Sequence, residues 1–247
     1  MKHKLMPLLA AGFLGASAAQ ASLTGNGNGL VYDNVANLTW LQDANLFGTM
    51  SAADPSLVSK IIAAVPSVAN MPNIYSPSGV YTLSSADFGQ GGLLDWFGGK
   101  AWVGYLNSIN YRGYNAWSLP AADPSCGVGF NCTNSQLGSL FASLGGVAGK
   151  SIATVHNAGY SLFRNVQSSL YWSGTEYASS PDNAWVFDNG NGNQSANTKT
   201  NQYYAWWAVL PGNFSAPTMA VVPEPGQWAL MLAGFALMGA IARRGKR

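Results

Sequence analysis

The chain has 247 residues, of which 48% are hydrophobic and only 9% charged, and its formal net charge is +2. That charge sits at the ends: Lys2, Lys4, Arg243, Arg244, Lys246 and Arg247 lie outside residues 22–222, which carry six cations against nine carboxylates, a net −3. An acidic, charge-poor middle lacks the basic footprint of a nucleic-acid binder and excludes that partner, and roughly 200 residues support one core rather than several.

The chain opens on Lys2, His3 and Lys4, followed by small and apolar residues to Ala18 and then Ala19-Gln20-Ala21. A basic start, an apolar stretch and an A-x-A site define a secretory signal peptide. The expected organisation is a signal peptide over 1–21, an exported domain over 22–215, a linker over 216–221 and a terminal segment over 222–247.

Leu30-Val31-Tyr32-Asp33 and Leu38-Thr39-Trp40-Leu41 read as two short strands around an Asn-containing turn. Residues 43–50 begin a helical or irregular segment, and 51–90 form an insertion punctuated by Pro, Ser and Gly in which 57–65 has the spacing of a short helix. Between 92 and 109, Leu93, Trp96, Phe97, Ala101, Trp102, Tyr105, Leu106 and Ile109 recur every three to four residues, the pattern of an amphipathic helix. Residues 115–120 read as a strand stopped by Pro120. Thr133 is the expected N-cap of a second helix over 135–144. Residues 170–173, 183–188 and 203–210 read as three late strands, with a polar turn or loop over 189–201. The class is therefore α+β: a single domain with two main helices and short antiparallel strands.

Cys126 and Cys132 are the only cysteines. Export permits a disulfide between them. A metal pair is the competing reading, but His156 is the one histidine in the exported part. No metal and no cofactor is expected.

Candidate chemistry is sparse. The exported part has eight tryptophans, and a large indole is more often core than surface. Trp206 and Trp207 are adjacent, so in a strand they point to opposite faces and one of them turns outward or lies under a loop. With Trp185 and Glu176 they form the candidate ligand surface. Asp188-Asn189-Gly190-Asn191-Gly192-Asn193 alternates oxygen ligands with glycines but lacks the closing acid of an EF-hand, and reads as a turn. Glu176 with Asp182 or Asp188 is the one carboxylate pairing available for glycosidase chemistry. No G-x-S-x-G or H-E-x-x-H motif occurs.

Several of these words, in this order, carry a resemblance. They are Gly29-Leu30-Val31-Tyr32-Asp33, Leu38-Thr39-Trp40-Leu41-Gln42-Asp43, Tyr81-Thr82-Leu83-Ser84 and Ala101-Trp102-Val103. Ala116-Trp117-Ser118-Leu119-Pro120, Tyr171-Trp172-Ser173-Gly174-Thr175-Glu176, Ala184-Trp185-Val186-Phe187-Asp188 and Ala208-Val209-Leu210-Pro211-Gly212 follow. Over most of 29–212 the chain resembles the Lcl C-terminal domain family. The resemblance implies a compact C-type lectin-like α+β domain and a role in surface adhesion, including binding of sulphated polysaccharide. The chain departs from the family pattern at Ser118 and Leu210, each of which stands where an arginine is usual. The missing cations and the acidic domain weigh against an anionic glycan.

The last segment runs Val222-Pro223-Glu224-Pro225, then apolar from Trp228 to Ala242, then Arg243-Arg244-Gly245-Lys246-Arg247. Both prolines hold the motif extended, as a processing enzyme requires. The apolar run is shorter than the roughly 20 residues that span a bilayer comfortably, and the basic end stays cytoplasmic. A plain C-terminal anchor with a transmembrane segment over 227–242 is one reading. Motif, short span and basic end together resemble a PEP-CTERM sorting signal. That resemblance implies an exosortase-type processing enzyme as partner, and a transiently membrane-anchored protein bound for the surface or exopolysaccharide matrix of a Gram-negative bacterium.

Three functions follow. The first is a non-catalytic surface or matrix protein that binds exopolysaccharide or another glycan. The second is a structural envelope protein without a soluble ligand. The third is a polysaccharide hydrolase.

Overall fold

The computed structural model describes residues 23–204 and 207–214. The expected signal peptide, the membrane span and the basic end lie outside those residues, as does Trp206. Among the described residues no helix is long and apolar enough to cross a membrane.

The observed domain is α+β, with four α-helices and antiparallel sheets. It begins with β1 (Leu23–Gly25), β2 (Leu30–Asp33) and β3 (Leu38–Leu41). The β2–β3 turn is built by Asp33, whose Oδ1 accepts the Val35 N–H at 2.9 Å, while Asn37 takes a left-handed φ of 49°. Both strands fall where the sequence places them, with Val31 opposite Trp40.

Two short helices follow: α1 (Leu46–Ala53), which begins inside the segment read as helical or irregular, and α2 (Leu57–Ala64), where the spacing over 57–65 suggests a short helix. Each has eight residues and buries only two side chains, Leu46 and Phe47 or Leu57 and Ile61. The insertion continues as a hairpin, β4 (Ser67–Ala69) with β5 (Val80–Thr82).

After β6 (Leu93–Leu94) comes the longest helix, α3 (Trp96–Ser108). Asp95 caps it, accepting the Gly98 N–H at 2.7 Å, which fixes its start four residues later than the periodicity suggested. Its buried face carries Trp96, Phe97, Ala101, Trp102 and Leu106. Residues 115–120 form no strand; Ser118 makes a lone bridge to Val209, because the chain turns away at Pro120 after one exchange of hydrogen bonds.

β7 (Gly129–Phe130) precedes α4 (Gln136–Ser143). The N-cap position of α4 is Ser135 rather than Thr133, and its hydroxyl serves Asp123 and Gln194 instead of the helix end.

The late strands are β8 (Leu170–Glu176), β9 (Asn183–Asp188), β10 (Asn193–Thr198), β11 (Tyr203–Tyr204) and β12 (Val209–Pro211). Two expectations fail here. The segment read as a loop contains β10, which lies between β9 and β7 in a sheet of order β7-β10-β9-β8. The single strand expected over 203–210 divides: β11 pairs with β6, and β12 joins a second sheet of order β1-β2-β3-β12. The Asp188–Asn193 segment is the β9–β10 turn, closed by Asp188 Oδ1 on the Gly190 N–H at 2.7 Å and Asn191 Oδ1 on the Asn193 N–H at 2.9 Å.

Tryptophans join the two larger sheets and α3 into one core. Trp96 donates to the Ser173 carbonyl at 3.0 Å, and Trp207 to the Leu41 carbonyl at 2.7 Å. All seven tryptophans among the described residues are 3% exposed or less.

Candidate functional site

The end of β8 is where the chemistry collects. Glu176 closes the strand, and its Oε2 stands 2.5 Å from Lys199 Nζ. Lys199 follows β10 directly and is wholly buried, with its ammonium 4.7 Å from the Trp96 ring centre and 5.9 Å from that of Phe97. Both Glu176 oxygens also accept the Met71 N–H, at 3.0 and 2.9 Å. Nearby Asp182 accepts the Ile74 N–H at 2.9 Å. These bonds tie the β4–β5 hairpin to the main sheet, so Glu176 serves the architecture first.

Of the expected ligand surface, the structure brings together Trp185 and Glu176. They line a pocket of about 200 Å³ with Pro124, Gly127, Val128, Tyr177, Ala178 and Ser179. The Trp185 ring meets Tyr177 edge to face at 4.9 Å, and its indole N–H has no partner among the described residues. Trp207 does not belong to this surface. It is buried, packed against Trp40, Phe163 and Tyr171.

The wall of this pocket rests on the Cys126–Cys132 disulfide, whose Cα atoms are 5.7 Å apart. Buried Gln194 braces the same loop, donating to the carbonyls of Asp123 and Gly127, both at 3.0 Å.

A larger cleft of about 420 Å³ opens on the other side of the same strand end, lined by Lys100, Val103, Gly104, Asn107, Trp117, Ser118, Leu119, Ala121, Gly174 and Thr175. Helical spacing puts Lys100 one turn beyond Trp96, with its ammonium 5.3 Å from that ring. Among the described residues the ion pairs are Lys60–Asp54 and Lys199–Glu176, so Lys100 has no carboxylate partner. Neither Lys100 nor Lys199 belongs to a sequence motif. The first was legible in the four-residue step from Trp96. The second sits in Asn- and Thr-rich surroundings that carry no burial signal.

A second pair of carboxylates, which the sequence does not point to, comes together at the start of α3. Asp87 and Asp95 are both buried, and the Tyr81 hydroxyl donates to Asp87 at 2.8 Å. Burial pushes the Asp95 carboxyl up to about 8; the Gly98 amide opposes the rise and Asp87 beside it adds to it. With each residue 3% exposed the pair is a helix-start device rather than a substrate site. Among the described residues no group of three or more His, Cys, Asp or Glu is gathered to hold a metal ion. His156 lies exposed, stacked on Tyr160 at 4.1 Å.

Residues 29–209 match the family model of the Lcl C-terminal domain. The chain belongs to the Lcl C-terminal domain family. Residues 221–247 match the PEP-CTERM protein-sorting motif, which marks this Lcl-domain protein as exosortase-sorted and exported to the cell surface. That match takes in Val222, Pro223, Glu224 and Pro225 and the closing Arg243, Arg244, Lys246 and Arg247. Neither matched family is known as an enzyme family. No curated protein matches the chain, and no solved structure does.

The two positions read above as departures from the family pattern have different surroundings. Leu210 is fully buried in β12. Ser118 lines the large cleft beside Lys100.

Proposed function

We propose that this protein is a non-catalytic adhesin or matrix organiser that binds a glycan of the exopolysaccharide layer after exosortase-dependent release. The observation that carries the reading is the pair of openings flanking the end of β8, on a domain joined to a sorting signal. Each combines aromatic or aliphatic walls with a few polar groups, the usual make-up of a small-ligand site. Kinship with the C-type lectin-like fold is part of this reading, supported by the family match and the short-stranded α+β layout. A hydrolase is disfavoured because Glu176 is already held by Lys199 and the Met71 amide.

The test is a glycan screen with the mature protein, repeated with Tyr177→Ala at the rim of the smaller pocket. Binding to extracted matrix polysaccharide supports the reading. Absence of binding to any glycan contradicts it. A second reading, structural self-association, draws on Val128 and Phe130, exposed by 63% and 47% on and beside the edge strand β7. Concentration-dependent oligomers without glycan would favour it.

A further inference from the structure

We propose that the cleft between α3 and the end of β8 binds the carboxylate of an acidic sugar residue, with Lys100 as its counter-ion. The proposal rests on the glycan reading and adds the ligand class and the site.

Its volume, about 420 Å³, lies in the roughly 300–1,000 Å³ range of small-ligand sites. The floor is apolar, made by Val103, Leu119 and the edge of buried Trp117. The polar rim offers donors: the Lys100 ammonium and the hydroxyls of Ser118 and Thr175. Among the described residues no aspartate or glutamate lines the cleft. Asn107 is only a wall, because its amide donates to the Trp117 carbonyl at 2.9 Å and accepts the Trp117 N–H at 2.7 Å. Ser118, which lines the cleft, is held by mutual backbone bonds with Val209, both 2.9 Å.

Charge selects the ligand. Lys100 and Lys199 both reach the Trp96 ring, yet only Lys199 has a carboxylate. Lys100 is therefore the unneutralised cation of this corner, on a site whose other polar groups donate. A single ammonium flanked by hydroxyls suits one carboxylate at a time. It does not suit a sulphated polymer, which needs a row of cations; Arg112, Lys150 and Arg164 do not line the cleft. The net charge of −3 over residues 22–222 repels a polyanion but leaves this local contact intact.

The test uses the mature protein and calorimetry with three probes: a uronate oligomer that is otherwise neutral and carries a single galacturonic acid residue, the same oligomer with that carboxyl reduced to an alcohol, and a sulphated oligosaccharide of equal length. The uronate oligomer should bind, more weakly as salt rises. Lys100→Met should weaken it about tenfold or more, the scale of a lost charge-assisted hydrogen bond. Lys100→Arg should largely retain binding, and Ala121→Trp, which fills the cleft, should abolish it. Equal binding of the reduced oligomer, preference for the sulphated probe, or indifference to Lys100→Met would overturn the site while leaving the glycan reading standing. No binding of any probe or of matrix polysaccharide would remove both.

Discussion

Lys199 Nζ lies 2.5 Å from Glu176 Oε2, with the lysine wholly enclosed and the glutamate side chain 18% exposed. A buried ion pair contributes little net stability, but breaking one is costly, about 3–5 kcal/mol, because the survivor keeps its charge without a partner. Glu176→Gln strands the ammonium between Trp96 and Phe97 and should lose stability on that scale in urea denaturation. Lys199→Met with Glu176→Gln should recover most of the loss. A double variant as unstable as the single one would show that the pair is not the cause.

The Asp95 carboxyl gives the domain an unusual pH dependence. Unfolded, it titrates near 3.8; folded, near 8. Between those values the folded chain holds a proton that the unfolded chain has lost, so stability falls as pH rises through this window and then levels. Asp54 acts oppositely. Lys60 and Ser56 hold it down at about 2, so its contribution is present above 3.8 and lost as pH falls towards 2. Asp95→Asn keeps a good N-cap for α3 and should flatten the decline between about pH 4 and about pH 8. An unchanged pH profile would refute the assignment.

Gly138 lies in α4 where a Cβ would run into the Cys132 carbonyl oxygen. Alanine ordinarily favours a helix over glycine by about 1 kcal/mol. Here the backbone cannot yield cheaply, and Gly138→Ala should instead destabilise by about 1–3 kcal/mol. A thermal midpoint at or above that of the parent would contradict the close packing.

The Cys126–Cys132 bridge closes a small loop, with a sequence separation of 6, so removing it with the paired serine substitutions should cost roughly 2 kcal/mol. The loss should appear alongside a change at the pocket of Trp185, whose wall includes Pro124 and Gly127. Unaltered stability would mean the loop is held by Gln194 alone.

Legibility followed hydrophobic contrast. Leu30–Asp33 and Leu38–Leu41 show as strands because buried Leu30, Val31, Trp40 and Leu41 stand against polar turn residues. Asn193–Thr198 has no such contrast: its one fully buried side chain is Gln194, satisfied by Asp123, Gly127 and Ser135, and its strand character comes from pairing with β9 and β7. At the site, Trp185 and Glu176 were recognisable as residue types, but not that Lys199 would claim the glutamate. Trp207 illustrates the limit of alternation. Alternation within a strand does not say which of two adjacent indoles is core; packing against Trp40 and Phe163 makes Trp207 so.

The central claim is that an exported Lcl domain is delivered by a sorting tail and then freed from it. Intact mass of the protein recovered from the surface and medium of exosortase-competent cells tests it most directly. The account predicts a chain starting at Ser22 and lacking the residues beyond the Val222–Pro225 region, with a two-dalton rise on reduction of Cys126–Cys132. A surface-exposed or secreted chain that still carries its apolar run and Arg247 would contradict it.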